Sequence, residues 1–340
     1  MKNARIFFTF FFIVFGLGLS LSVISFAASQ ARPGELFKGK ITIGTALWPG
    51  YLALYVAKDK GYFKEAGLDV EVKNFIGLTE VSQEYVAGRL QGRANLVFDA
   101  LKEQIGGFDH KVVLAIDYSN GSDAILTRTD IQSIQDFRQK RIGYEFGTLE
   151  EFFLAWALAE NAMELSDIIP VNANPEIAAK MLKDGQVDVA VSYEPFVSKY
   201  VASGDFHVVY SSADAPGVIT DILTFRTDFI QAHPETIQAI VEAYFKALNF
   251  WKVNPEEVQA IVAKVLNDTP ESIGQQLKGI KVLDERDNQT AFTFSTGLQS
   301  LYGNLRQIRR FIHKQNGGGA LLDTDKLIER KFIKGLDDNR

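Results

Sequence analysis

Cysteine is absent from this 340-residue chain. Disulfides, thiol nucleophiles and cysteine zinc sites are therefore excluded, and so is a lipid-modified cysteine as a membrane tether. Histidine is nearly as scarce. His110, His207, His233 and His313 are scattered and match no metal-ligand spacing, so neither a metal nor a cofactor is expected. A surplus of positive charge is missing too. With 36 Lys and Arg against 42 Asp and Glu, the net charge of −6 offers no basic field to hold nucleic acid or anionic lipid. What remains, 46% hydrophobic and 23% charged, is an ordinary globular composition, long enough for two lobes with separate cores.

One long uncharged run stands at the start. Lys2 and Arg5 precede Ile6 to Ala31, which is rich in Phe, Leu and Ile and carries no charge. A short basic region, an apolar stretch and then small residues is the pattern of a secretory signal peptide. Ser25-Phe26-Ala27 places cleavage near Ala27, so residues 1–27 are expected to be removed and the chain to be periplasmic. Loss of Lys2 and Arg5 would take the net charge from −6 to −8. The alternative is an uncleaved anchor, because the run is long enough to span roughly 30 Å of hydrocarbon.

Past residue 40, strand-like runs (Ile41–Thr45, Leu68–Val72, Ala94–Phe98, Val112–Tyr118, Arg141–Tyr144, Ile168–Val171, Val187–Ser192, His207–Tyr210) alternate with helical periodicity (Leu52–Lys60, Leu78–Ala87, Leu149–Met163, Pro175–Lys183, Pro195–Ser203). Such alternation predicts α/β architecture with parallel sheets covered on both faces. From His233 onward the pattern is nearly all helical, over His233–Val253, Pro255–Asn267, Phe294–Gln315 and Thr324–Phe332.

Two internal echoes add organisation. "AILTRTDI" (Ala124–Ile131) resembles "DILTFRTDFI" (Asp221–Ile230), and "LQGRANLVF" (Leu90–Phe98) resembles "LKDGQVDVAV" (Leu182–Val191). The simplest reading is a two-lobed α/β fold with two extended hinge crossings and a helical C-terminal part. Lobe 1 would cover 40–127, lobe 2 128–225, and lobe 1 again 226–335. The alternative is that βα units resemble one another everywhere.

Two lobes joined twice make a cleft, and open α/β sheets bind ligands beyond the carboxyl ends of their strands. "ALWPGY" (Ala46–Tyr51) is such a strand-end loop. Pro49 keeps Trp48 out of helical conformation, Gly50 permits a tight turn, and the helix expected from Tyr51 aims free N–H groups at the cleft. Trp48 and Tyr51 would sandwich a small flat or apolar ligand; alternatively, Trp48 plugs the end of the lobe's core.

"ALWPGYLALYVAKDKGYFKEAGLDVEV" (Ala46–Val72), "AIDYSNGSDAIL" (Ala115–Leu126), "GTLEEFFLAWAL" (Gly147–Leu158), "DGQVDVAVSYEPF" (Asp184–Phe196) and "HPETIQAIVEAYFKAL" (His233–Leu248) together resemble the solute-binding proteins of nitrate/sulfonate/taurine and thiamine-pyrimidine ABC importers. The resemblance runs over roughly Lys40 to Gly335. It implies a two-lobed periplasmic-binding-protein fold, a small-molecule ligand, a monomeric exported receptor, and a membrane permease as partner.

The family pattern puts pocket residues on the strand-end loops: Trp48 and Tyr51; Phe98 and Asp99; Ser119, Asn120 and Asp123; Gly147 and Thr148; Glu194; and Asp221. Thr148 carries two readings. It opens a helix whose N–H groups would hold an anion, and it heads a Thr-x-x-Glu capping box closed by Glu151. Asp99, Asp123, Glu194 and Asp221 make the set acidic, with no Lys or Arg evident among them. An anion would be repelled there, whereas an amine or ring N–H would gain charge-assisted bonds, so a nitrogenous heterocycle or amine is expected. The alternatives are a small anion such as nitrate, sulfonate or bicarbonate, should Arg128 or Arg226 reach inward, or a ligand-sensing receptor for a signalling partner. Asp123 and Asp221 also suit turn or hinge positions.

Enzymatic function is not expected. Fungal thiamine-pyrimidine synthases share the resemblance but carry a cysteine-rich run that is missing here. "GELFKGKI" (Gly34–Ile41) has phosphate-loop spacing, yet Ile41 replaces Ser or Thr and the stretch precedes a strand.

Overall fold

The computed structural model describes residues 35–318 and 322–334; the expected signal peptide and its cleavage site lie outside them. No helix among the described residues is long and apolar enough to cross a membrane. The strands are β1 (Lys40–Ala46), β2 (Asp69–Phe75), β3 (Gly92–Leu96), β4 (His110–Ser119), β5 (Asp123–Arg128), β6 (Arg141–Tyr144), β7 (Ile169–Asn172), β8 (Val189–Tyr193), β9 (Phe206–Ser211), β10 (Thr220–Arg226) and β11 (Ile280–Val282). They form two sheets, in the orders β11-β4-β10-β3-β1-β2 and β7-β6-β8-β5-β9. Each sheet with its helices is one lobe of an α/β fold.

Neither sheet is purely parallel, contrary to the expectation from alternation. β1 pairs parallel with β2 and β3, and β6 with β7 and β8, but β10 and β5 run antiparallel to both of their neighbours. The cause is the path of the chain. It leaves and enters each lobe at the cleft, so the strand that follows a crossing runs away from the cleft while its neighbours run toward it. The orders superpose, with β1, β2, β3, β4 and β10 in the places of β6, β7, β8, β9 and β5. The sequence echoes mark these equivalences: β3 with β8, and β10 with β5.

The passages between sheets are short turns. One runs from Ser119 to Asp123 and the other from Ser211 to Thr220, so Ala124–Thr127 lie in the second sheet and Thr220–Phe225 in the first. Thr127 and Phe225, where the expected lobe boundaries fall, therefore lie within β5 and β10, and the chain changes sheets at these turns instead. The turns lie side by side, with Ser119 Oγ 2.7 Å from Ser212 Oγ and the Ser119 amide donating to Ile219 O at 3.2 Å.

The 20-residue helix Pro234–Val253 opens with proline in its first turn, where the missing N–H costs nothing. Its buried stripe, Ile237, Ile240, Val241, Tyr244 and Leu248, repeats at helical spacing; the helix packs mainly on the helix Leu52–Asp59, and the Tyr244 hydroxyl donates to Ile116 O of β4. The helix expected from Phe294 begins only at Leu301. A Cβ at Gly303 would come within 2.2 Å of Gly297 O, because the preceding segment folds back onto the helix and cannot continue it. Thr324–Phe332 is not one helix but a short turn (Thr324–Leu327), a bridge from Ile328 to Val112, and the helix Lys331–Lys334.

Candidate functional site

The carboxyl ends of the parallel strands in both sheets border a cavity of about 330 Å³. Trp48 and Tyr51 reach it from the loop after β1, Ile76 to Thr79 from the loop after β2, and Leu96 from the end of β3. The second lobe supplies Glu145, Leu149 and Glu150 after β6 and Tyr193 at the end of β8, while Ser119, Asp123, Ile219 and Asp221 border it at the crossings. A more open groove of about 710 Å³ lies elsewhere, between Glu160, Asp214, Arg286 and Ser300, and takes none of these strand-end loops.

"ALWPGY" is built as a platform. Trp48 is extended (φ −134°, ψ 126°), Pro49–Tyr51 form one tight helical turn, and the regular helix starts at Leu52. The Trp48 indole N–H donates to Asp117 Oδ2 at 3.2 Å, and the buried Tyr51 hydroxyl donates to Asp221 Oδ1 at 2.5 Å. A Cβ at Gly50 would lie 2.1 Å from Asp117 Oδ2 and 2.4 Å from the indole nitrogen, so only glycine lets ring and carboxylate meet. Half-buried, Trp48 both packs on the core and lines the cavity.

Of the residues expected in the pocket, Trp48, Tyr51, Ser119, Asp123 and Asp221 line this cavity and six do not. Phe98 is buried against Phe152 and Phe311 and borders a separate pocket with Gly147. Asp99 sits in the first turn of the helix Val97–Ile105. Exposed Asn120 donates its amide to Gly279 O. Glu194 accepts from the amide and hydroxyl of Ser198, in the first turn of Phe196–Val201.

Thr148 occupies the cap position of Leu149–Glu160 without capping it. Its hydroxyl turns to Glu145 O at 2.7 Å and Glu150 Oε2 at 2.5 Å. Glu151 accepts from the Gly147 amide, one residue short of the expected capping box. Arg128 donates to the carbonyls of Leu182 and Lys183, and Arg226 pairs with Asp228, so neither reaches inward.

Sequence reasoning missed Asp117, Glu145 and Tyr193, and it read Glu150 as negative charge at the helix start without counting it among the pocket residues. Asp117 had one signal, a carboxylate inside the apolar strand "VVLAIDY". Its place opposite Asp221 in the β4–β10 register is a matter of pairing that the sequence does not display.

A family described as NMT1/THI5 like matches residues 48–258, well over half of the chain. The chain belongs to this family. Its two sheet-bearing lobes have the periplasmic-binding-protein fold. A Brucella abortus protein named only as a binding protein is 23% identical over 252 residues, which cover 70% of this chain and 77% of that one. The periplasmic aliphatic sulphonate binding protein SsuA of Escherichia coli superposes with a TM-score of 0.71 at 15% identity, covering 85% of this chain and 92% of its own. The periplasmic nitrate-binding protein NrtA of Synechocystis PCC 6803 gives 0.56 at 17% identity, covering 71% and 69%. At these identities the two structures establish the fold.

In this NMT1/THI5-like cleft the electrostatics are one-sided. Among the described residues no Lys or Arg lines the cavity, while Asp123, Glu145, Glu150 and Asp221 do. Burial pushes Asp123 up to about 6 and Glu150 up to about 7. Asp117 and Asp221 are both raised, first by burial; Asp221 is raised further by the Asp117 charge opposite it, despite the Tyr51 hydrogen bond. Asp117 Oδ1 has no hydrogen-bond partner among the described residues.

These shifts carry a sign for stability. A carboxyl that titrates near 6–7 when folded and at about 4 when unfolded binds its proton more tightly in the folded chain. Its contribution is present at pH 4 and is lost as pH rises through 7. His110, pushed by burial down to about 4, acts oppositely, gaining stability as pH rises from 4 to its ordinary value. The Asp123→Asn/Glu150→Gln protein is therefore expected to gain melting temperature over wild type at pH 7.5 and little at pH 4.5. Parallel melting curves of the two ligand-free proteins across that range would refute this.

Proposed function

We propose that this chain is an exported receptor that captures one small nitrogenous solute, an amine or an N–H-bearing heterocycle, between its lobes and delivers it to the permease of an ABC importer. Trp48 and Tyr51 supply the ring faces, and Asp123, Glu150 and Asp221 orient the nitrogen. The observation that carries the ligand class is the cavity wall, to which the described residues bring four carboxylates and no basic side chain. Moving an anion out of water beside them gains no compensating charge, whereas an ammonium or ring N–H gains charge-assisted bonds. The signal-peptide pattern of residues 1–27 supports export, and monomeric action in the periplasm goes with it. Closure of the lobes on the solute would flex the paired turns at Ser119–Asp123 and Ser211–Thr220.

The second reading is a small anion such as nitrate, a sulfonate or bicarbonate. The names of two proteins of this fold favour it, since they say sulphonate and nitrate. In that reading the first turn of Leu149–Glu160 would supply the N–H groups.

Thermal unfolding of the purified protein against a panel split by charge separates the two. Ligand at about 100 times its Kd adds roughly 2.7 kcal/mol, a shift of several degrees. Amines and aminopyrimidines are expected to raise the melting temperature, with Trp48→Ala removing the effect. A shift given only by nitrate, taurine or alkanesulfonates would establish the anion reading instead. Recovery of a sensor kinase in place of a permease in a pull-down would turn the receptor from transport to signalling.

A further inference from the structure

The cavity's carboxylates are divided between the lobes. Asp221 is the second residue of β10 in the first sheet, and Asp117 stands opposite it on β4, wholly buried; its Oδ2 accepts from the Trp48 indole, and its Oδ1 has no partner among the described residues. Asp123 opens β5 in the second sheet, and Glu150 lies in the first turn of that lobe's helix Leu149–Glu160. The same cavity is lined by the apolar side chains of Trp48, Leu78, Leu96, Leu149 and Ile219, beside Thr79, Ser119 and Tyr193.

We infer that the ligand has two nitrogen-bearing ends, one held by Asp221 on the first lobe and the other by Asp123 and Glu150 on the second, with an apolar or flat body between them. This rests on the nitrogenous reading above and sharpens it. A one-ended cation would satisfy the carboxylates of one lobe and leave those of the other desolvated in the same 330 Å³. A ligand that bridges the two sets answers both.

Bridging also supplies what closure needs. A solute shifts a conformational equilibrium only by binding one arrangement better than the other. A two-ended ligand makes its second set of charge-assisted bonds only when both lobes face it, so its affinity itself favours the closed form. A ligand held by one lobe has no such preference.

Isothermal titration at pH 7.5 tests this with probes matched in body, butylamine against butane-1,4-diamine and benzylamine against 1,4-bis(aminomethyl)benzene. A second charge-assisted hydrogen bond predicts that the two-ended member of at least one pair binds about tenfold tighter or more. In the Asp123→Asn/Glu150→Gln protein, its fold confirmed by its melt, that advantage should shrink to about threefold or less. Equal affinities within both pairs would overturn the two-ended inference and leave the nitrogenous reading standing. Binding of an alkanesulfonate with no binding of any amine would overturn the nitrogenous reading itself.

Discussion

Asp221→Asn is expected to weaken amine binding by about 2–5 kcal/mol, roughly thirtyfold to several thousandfold, the range for removing one partner of a buried charged hydrogen bond. Asp221 lines the cavity, is 4% exposed, and holds Tyr51, so the substitution removes both a counter-charge and part of the platform's alignment. Asparagine keeps an oxygen for the Tyr51 hydroxyl, which confines the loss mainly to charge. The ligand-free protein should move the other way. Asp221 is raised by burial and by the Asp117 charge, so at pH 7.5 the neutral amide relieves repulsion, and the melting temperature is expected to rise. Together the two readouts, an affinity by titration and a melt without ligand, separate a binding carboxylate from a merely structural one. Were the solute an anion, the same variant would bind it more tightly than wild type, and that result would sink the amine reading.

Glu103→Ala is expected to cost about 3–5 kcal/mol of stability, because it leaves a buried guanidinium without its counter-ion. Arg93 is wholly buried in the central part of the first sheet and lies over the Tyr85 ring, 4.8 Å from its centroid. It donates to Ser82 Oγ at 2.5 Å and pairs with Glu103 through Nη2, while its Nε has no partner among the described residues. Burial outweighs the pull of Arg93 and holds the Glu103 carboxyl above its usual range, so the pair is expensive to keep charged. An Arg93→Met/Glu103→Leu double variant should therefore recover most of the loss, since an apolar pair of similar volume often equals or exceeds a buried ion pair. Urea unfolding of the single and double variants checks both statements. A single variant within about 1 kcal/mol of wild type would mean that Ser82 and nearby Asp99 suffice for Arg93.

Alternation of period-2 and period-3.6 patterns was enough to specify two α/β lobes and a helical C-terminal region, because secondary structure answers to neighbours a few residues away. The two echoes carried more, since they mark strands that hold equivalent places in the two sheets. "ALWPGY" was legible as a cleft platform for the same local reason: a proline and a glycine after a strand force a turn, and two aromatics in that turn have to lie at the strand's end. The lack of cysteine and of any basic surplus fixed the exclusions before any fold was considered.

Only the tertiary structure decided which side chains share the cavity. Tyr51 meets Asp221 across 170 residues and Trp48 meets Asp117 across 69, and nothing in either local segment announces the match. Asp117 faces Asp221 through the register of two antiparallel strands, a relation set by pairing and not by spacing. Phe98 and Gly147, which the family resemblance implies in the cleft, instead border a separate pocket with Phe311. Arg128 and Arg226, which would have reversed the charge of the site, are held by helix carbonyls and by Asp228. Sequence thus determined the elements and where their ends lie; the direction of each side chain at those ends waited on contacts between residues far apart in the chain.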